Sequence, residues 1–242
     1  MKKTFSRPKS MYDRLTHYCA GCGHGIVHRL VCEVIDELGI RNKTIAVAPV
    51  GCAVIAYDYW DFDCAEAAHG RALAVATGLK RYRPDRFVFT YQGDGDLAAI
   101  GTAETIHTAN RGENVTCIFV NNAVYGMTGG QMAPTTLTNQ KTATTPRGRD
   151  CKDAGYPLKI SEMIALLPAV ASVERTAINS PAQILRTKKA IKQAFQNQIE
   201  NKGFSLVEVL SACPTYWGMT PRQAIDWIDK TMIKEFPLGK LK

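Results

Sequence analysis

The chain has 242 residues, is 45% hydrophobic and 21% charged, and carries a net charge of +8, an ordinary globular balance with enough apolar material for one sizeable core. No stretch approaches the roughly 20 apolar residues of a membrane span, and MKKTFSRPKS at the start lacks the apolar run of an export signal, so a cytoplasmic protein with no membrane partner is expected. The basic excess suits an acidic partner or a phosphate-bearing cofactor; no nucleic-acid motif accompanies it, and KRYRPDR (80–86) reads as a solvated helix end.

Residues 1–18 read as an arm. The loop CAGCGHG (19–25) leads into a helix with Val27, Leu30, Val31, Val34, Ile35 and Leu38 at helical spacing. TIAVAP (44–49) reads as a strand buried on both faces, followed by a Gly51-Cys52 turn. HGRALAVATGLKRY (69–82) reads as a helix stopped by Pro84, FVFTY (87–91) as a strand, Asp96 to about Ala109 as a helix and VTCIFV (115–120) as a strand. Residues 122–159 have no periodicity and many Gly, Thr and Pro, a length that marks a functional loop. AVASVER (169–175), a helix from about Ala182 to Glu200 and FSLVEVL (204–210) resume the alternation. A tail over 214–242 holds one helix near 221–235.

Strands alternating with helices predict an α/β fold: a doubly wound parallel sheet with helices on both faces, in one domain over 1–242. Ligands of such sheets sit beyond the carboxyl ends of the strands. Gly51-Cys52, Gly93-Asp94-Gly95 and Asn121-Asn122 all follow strands and should converge there.

A carboxylate at Asp94 is a poor core residue and a good hard-cation ligand. The flanking glycines permit a sharp turn and close approach of a ligand. The helix after Asp96 aims free N–H groups at the same spot, which suits phosphate. Asn121-Asn122 brings a side-chain amide oxygen from the next strand. Mg²⁺ takes one or two protein oxygens plus phosphate oxygens, so the pattern fits Mg²⁺ holding a diphosphate.

Gly-Asp-Gly, about 25 residues and Asn-Asn resemble the thiamine diphosphate motif. With VYGMTGGQMAPTT (124–136), the chain from Cys19 to about Pro214 resembles the β, thiamine-binding subunit of 2-oxoacid:ferredoxin oxidoreductases. The resemblance implies that Asp94, the Asn122 side chain and the Val124 carbonyl bind Mg²⁺. It implies that Gly93, Gly95, Asp96, Tyr125, Gly126, Met127 and Thr128 line the diphosphate and thiazolium region, with Val50, Gly51, Cys52 and Ala53 also at the cofactor. HGR (69–71) resembles a further family segment, which puts His69 beside the cofactor as a catalytic residue; a helix-terminal surface position is the plainer alternative.

Of the eight cysteines, Cys19 and Cys22 have metal-chelating spacing, Cys52 and Cys213 follow strands, and Cys32 and Cys117 read as small buried hydrophobes. Spacing leaves zinc, an iron–sulfur cluster and a redox dithiol open. The resemblance implies one [4Fe–4S] cluster on Cys19, Cys22, Cys52 and Cys213. The family often has Trp-Cys-Pro-Gly-Cys-Gly here; Tyr18 and Ala20 replace the Trp and Pro and leave the cysteines intact. His24 reads equally as a cofactor contact and as a helix cap.

By resemblance, the activity is oxidative decarboxylation of a 2-oxoacid to acyl-CoA and CO₂, with coenzyme A as cosubstrate and ferredoxin as electron acceptor. No ferredoxin-like cysteine run and no second nucleotide-like domain are present. The resemblance implies partners that supply these: an α subunit gripping the aminopyrimidine, a transferase-like γ subunit and a small ferredoxin-like subunit. Family members that accept 2-oxoglutarate often carry Lys where Gly129 stands, which favours an apolar substrate such as 2-oxoisovalerate over 2-oxoglutarate or pyruvate. Arg147 and Arg149 cut the other way if they swing in to bind a distal carboxylate bidentately; facing the phosphates of coenzyme A, or a solvated or interfacial place, are the alternatives. A non-redox thiamine decarboxylase or synthase is the alternative reading.

Overall fold

The structure, a computed structural model, describes residues 6–242. In chain order it has α1 (His24–Leu38), β1 (Thr44–Pro49), β2 (Asp63–Ala67), α2 (Ala72–Tyr82), β3 (Phe87–Gly93), α3 (Thr102–Asn110) and β4 (Thr116–Asn121). A small hairpin of β5 (Val124–Tyr125) and β6 (Gln131–Met132) follows, then α4 (Cys151–Ala154) and α5 (Ile160–Ala165). The chain ends with β7 (Val170–Ala177), α6 (Pro181–Ile199), β8 (Phe204–Leu210), α7 (Pro214–Trp217), α8 (Pro221–Trp227), α9 (Ile233–Glu235) and β9 (Gly239–Lys240).

The main sheet has the order β2-β1-β3-β4-β8-β7-β9. All neighbours are parallel except the edge pair β7 and β9. The expected doubly wound fold is therefore present, with one short antiparallel edge strand added. Alternate residues feed opposite faces, as the pleat requires. Phe87, Phe89 and Tyr91 of β3 join α1 and α6 in one core, whereas Val88 joins α2 and α5 in the other. Both faces of each central strand are thus apolar, which is why these strands read as continuous hydrophobic runs.

The strand order reverses twice. β1 and β3 are neighbours although β2 lies between them in sequence, and β8 inserts between β4 and β7. At such reversals the connections diverge and leave a crevice beyond the carboxyl ends. The expected convergence of the β1, β3 and β4 ends follows from this order.

Several elements differ from expectation. The HGR segment (69–71) precedes α2 as a turn. The helix expected from Asp96 opens as a π turn, Asp96–Ile100, and becomes α-helical only at Thr102; such turns widen a helix locally and recur at functional sites. Gly101 sits at the join because the Gly70 turn presses on it: an added Cβ would lie 2.8 Å from the Gly70 carbonyl oxygen. The residues after Cys213 pack back on the molecule. Ala224, Ile228, Met232 and Phe236 close a third apolar cluster with Leu137 and Leu210, and β9 pairs with β7. Of the arm, residues 1–5 lie outside the described residues, while Ser10 donates to Asp36 and Met11 pairs with Trp60.

Candidate active site

The crevice encloses a cavity of about 110 Å³. Val50, Gly51, Cys52 and Ala53 line it from the end of β1, and Gly93, Asp94, Gly95 and Asp96 from the end of β3. Asn122, Val124, Tyr125, Gly126, Met127 and Thr128 line it after β4, and His69 and His24 complete the wall. Each residue expected at the cofactor is among them.

Asp94 is buried, 3% exposed. Its Oδ1 accepts the Gly95 N–H at 2.8 Å and its Oδ2 accepts the Thr135 hydroxyl at 2.7 Å. Burial pushes its carboxyl up to about 6. A buried carboxylate held by neutral donors and facing an open cleft suits a hard cation, whose charge would offset the desolvation. Thr135, in the aperiodic loop, had no sequence signal; its hydroxyl reaches Asp94 from 41 residues away.

The two asparagines have separate tasks. Asn121 is sealed, and its Nδ2 donates to Glu208 Oε1 at 2.8 Å. Glu208 also accepts from Ser161 at 2.5 Å and from Arg175 Nε at 2.7 Å, while the other end of Arg175 grips Glu162. This network fixes the end of β4. Asn122 is the one that lines the cleft; its carbonyl accepts the Trp217 indole N–H at 3.0 Å. Ala123 between them takes φ 58°, and that turn carries Val124 back to the cleft. Oxygen ligands from Asp94, Asn122 and a backbone carbonyl, with room for phosphate oxygens, suit Mg²⁺.

Asp96 is tied to the HGR turn. Its carboxylate accepts the Gly70 N–H and the Gln92 amide, each at 2.5 Å. His69 Nδ1 stands 3.0 Å from Asp96 Oδ1, within ion-pair reach though outside hydrogen-bond geometry. Asp96 therefore fixes the HGR turn and with it the place of His69. His24 is not a cap: no side chain caps α1, and its Nδ1 meets the Tyr91 hydroxyl at 2.6 Å. Its burial lowers the imidazole to about 4.

Of the four cysteines expected to act together, only Cys52 lines the cleft. The others stand near it. A Cβ placed on Gly126 would lie 3.2 Å from Cys52 Sγ, 3.8 Å from Asn122 Nδ2 and 3.9 Å from Cys213 Sγ, so the end of β8 and the turn after β1 meet across this glycine. Burial, then Cys52 and Cys19, holds Cys22 up to about 11; burial, with Cys22, Cys52 and Asp94 following, holds Cys213 up to about 12. Cys22 and Cys52 are thus each within electrostatic reach of Cys19 and of Cys213. Among the described residues, no three His, Cys, Asp or Glu side chains converge on a single-ion position. Gly21 lets the Cys19–Cys22 loop seat on the start of α8, where an added Cβ would stand 2.6 Å from Pro221 Cβ. Cys32 and Cys117 are sealed in the core as expected, and Cys64 and Cys151 do not line the cleft.

The two arginines that could have swung in stand apart from the cleft. Arg149 cannot swing into a substrate pocket. It is buried, and its guanidinium donates to the carbonyls of Pro134, Thr136, Ala154, Gly155 and Tyr156. An aperiodic segment has backbone groups to satisfy, and this side chain satisfies them. Arg147 is exposed in a neighbouring groove. Gly129 takes φ 119°, a backbone state that L side chains rarely adopt, so a Lys at this position requires a different loop path.

The comparisons agree with this site. Residues 50–209 match the family described as "Thiamine pyrophosphate enzyme, C-terminal TPP binding domain". The ketoisovalerate oxidoreductase subunit VorA of Methanothermobacter thermautotrophicus is 49% identical over the whole of this chain, which spans about half (53%) of that relative. The 2-oxoglutarate synthase subunit KorB of Methanocaldococcus jannaschii is 40% identical over 85% of this chain and 73% of its own. In solved structures, a 2-oxoglutarate:ferredoxin oxidoreductase from Magnetococcus marinus with 2-oxoglutarate, coenzyme A and succinyl-CoA bound superposes with a TM-score of 0.76. It shares 30% identity over 89% of this chain and 70% of that one. This chain belongs to the 2-oxoacid:ferredoxin oxidoreductase family, among its thiamine diphosphate-binding subunits.

Proposed function

We propose that residues 1–242 form the thiamine-binding catalytic unit of a cytoplasmic enzyme complex that oxidatively decarboxylates a 2-oxoacid to an acyl-CoA and CO₂. The substrate is a branched-chain 2-oxoacid such as 2-oxoisovalerate, and electrons leave through a [4Fe–4S] cluster to ferredoxin. The observation that carries this reading is the meeting, across Gly126, of the Asn122 amide with Cys52 and Cys213. A thiamine enzyme that only protonates or condenses its intermediate needs no thiolate set beside its cation site.

Bound thiamine diphosphate supplies the electron sink for loss of CO₂. Asp94, the Asn122 side-chain oxygen and the Val124 carbonyl hold Mg²⁺ against its diphosphate, with Thr135 and the Gly95 N–H keeping Asp94 aimed. Tyr125, Gly126, Met127 and Thr128 wall the reacting end. His69, set by Asp96, handles a proton at the nitrogen that faces the cleft. Cys19, Cys22, Cys52 and Cys213 would hold the cluster as thiolates. An α subunit grips the aminopyrimidine ring. A transferase-like γ subunit and a ferredoxin-like subunit complete the electron path.

The apolar-substrate reading rests on Gly129 and Met127, on the absorption of Arg149 into the loop, and on the name of the VorA relative. The KorB relative favours 2-oxoglutarate as the second reading. Purified complex is to be assayed for coenzyme A-dependent ferredoxin reduction with 2-oxoisovalerate, pyruvate and 2-oxoglutarate. The expected result is a kcat/KM at least about tenfold higher for 2-oxoisovalerate, equivalent to about 1.4 kcal/mol in transition-state binding. A tenfold preference for 2-oxoglutarate defeats the substrate assignment, and turnover without ferredoxin reduction defeats the reaction class.

A further inference from the structure

His24 is 3% exposed, yet it lines the cleft. Its ring is held on two sides: it stacks on Tyr18 at 4.9 Å, and Tyr91 meets it edge-on at 5.6 Å. Tyr18 is itself pinned by its hydroxyl to the Cys52 carbonyl at 2.8 Å. Nδ1 faces the Tyr91 hydroxyl at 2.6 Å. Nε2 is not among the sealed polar atoms and bonds no described residue, so it is the nitrogen left for the cleft.

The tautomer follows from the tyrosine. Tyr91 is fully buried, and among the described residues its hydroxyl has only this imidazole to bond. If Nδ1 carried the proton, it would donate to the tyrosine oxygen, and the tyrosine O–H would be stranded in the core, which is costly. With Tyr91 donating, both groups are satisfied. The imidazole proton then sits on Nε2 and points into the cleft.

We propose that His24 contacts the substrate: a neutral imidazole locked as an Nε2–H donor to an oxygen of the 2-oxoacid's carboxyl–carbonyl unit, with Tyr91 as the positioning residue that fixes the tautomer. The identity of the ligand rests on the proposed function; the donor geometry does not. In this state Nε2 cannot act as a base, so proton removal falls to another group.

Two measurements test it. In the full chain labelled with ¹⁵N-histidine, the His24 resonances are those lost in His24→Gln. They should report a bare Nδ1 and a protonated Nε2, and Tyr91→Phe should mix the tautomers. A protonated Nδ1 in the wild type overturns the proposal. In the purified complex, His24→Leu should raise KM for 2-oxoisovalerate about tenfold or more, the effect of losing one hydrogen bond to a charged group, with kcat within about threefold. His24→Gln, which keeps an N–H in reach, should recover most of the loss, and Tyr91→Phe should fall between. Unchanged KM in His24→Leu, or loss of thiamine diphosphate or iron from His24→Gln, refutes substrate contact. If the wild-type complex turns over no 2-oxoacid, the proposed function fails, and the resonance measurement still decides the donor geometry.

Discussion

The ring of Tyr125 lies where any side chain on Gly95 would stand. An added Cβ would overlap ring atoms Cε1 and Cδ1, so the loop after β3 and the hairpin after β4 touch through a bare backbone. Overpacking of this kind costs about 1–3 kcal/mol. Gly95→Ala should weaken thiamine diphosphate binding by the complex at least about tenfold. Tyr125→Ala added to it should restore part of the loss, because the two changes share one contact. Calorimetric titration of the two single variants and the double variant measures the coupling; strictly additive losses would count against it.

Asp94→Ala removes the charged oxygen proposed for Mg²⁺. Retention of thiamine diphosphate in the purified complex should fall below detection. Thr135→Val leaves the carboxylate but removes one of its donors; losing one such hydrogen bond corresponds to a drop in affinity of about tenfold. The check is cofactor content against added Mg²⁺, and wild-type content in Asp94→Ala would remove the cation from this site.

Cys213→Ser should lower the iron and acid-labile sulfide of anaerobically purified complex, whereas Cys117→Ser should leave both unchanged. Cys117 is sealed in the core beside Gln92 and does not line the cleft. Full iron in the Cys213 variant would refute its place in the cluster.

Arg175 and Glu208 form a buried pair at 2.7 Å, each side chain 1% exposed. Arg175→Met strands the Glu208 charge in the core, a loss of about 3–5 kcal/mol. A lowered urea midpoint measures this. Because Glu208 also holds Asn121, cofactor affinity should weaken in the same variant. An unchanged midpoint would mean that the network contributes nothing to stability.

The central strands were legible because burial on both faces leaves an unbroken apolar run, as in TIAVAP and FSLVEVL. β2, with sequence DCAEA, was not: it is an edge strand, mostly exposed, and its residues obey solvent rather than a core. β9 is two residues long and exists only by pairing with β7. The cleft residues were legible as interruptions, polar or glycine positions placed just after apolar runs. Thr135, Arg149 and the His24–Tyr91 pair were not, since each acts through partners distant in sequence or through a loop without period. The π turn at Asp96 packs against the Gly70 turn, a contact that no local pattern records.

The insertion of β8 between β4 and β7 also sets an order of events. The ligands proposed for the cluster run from Cys19 to Cys213, and the bond that steadies Asn121 spans 87 residues. Closing such long loops must precede the contacts that reward it, which makes assembly late and slow. A nascent chain on the ribosome that has emerged only as far as β7 holds three of the four thiols and the acid, but neither Glu208 nor Cys213. The residues proposed to hold metal and cofactor are therefore complete only once β8 and Cys213 have emerged.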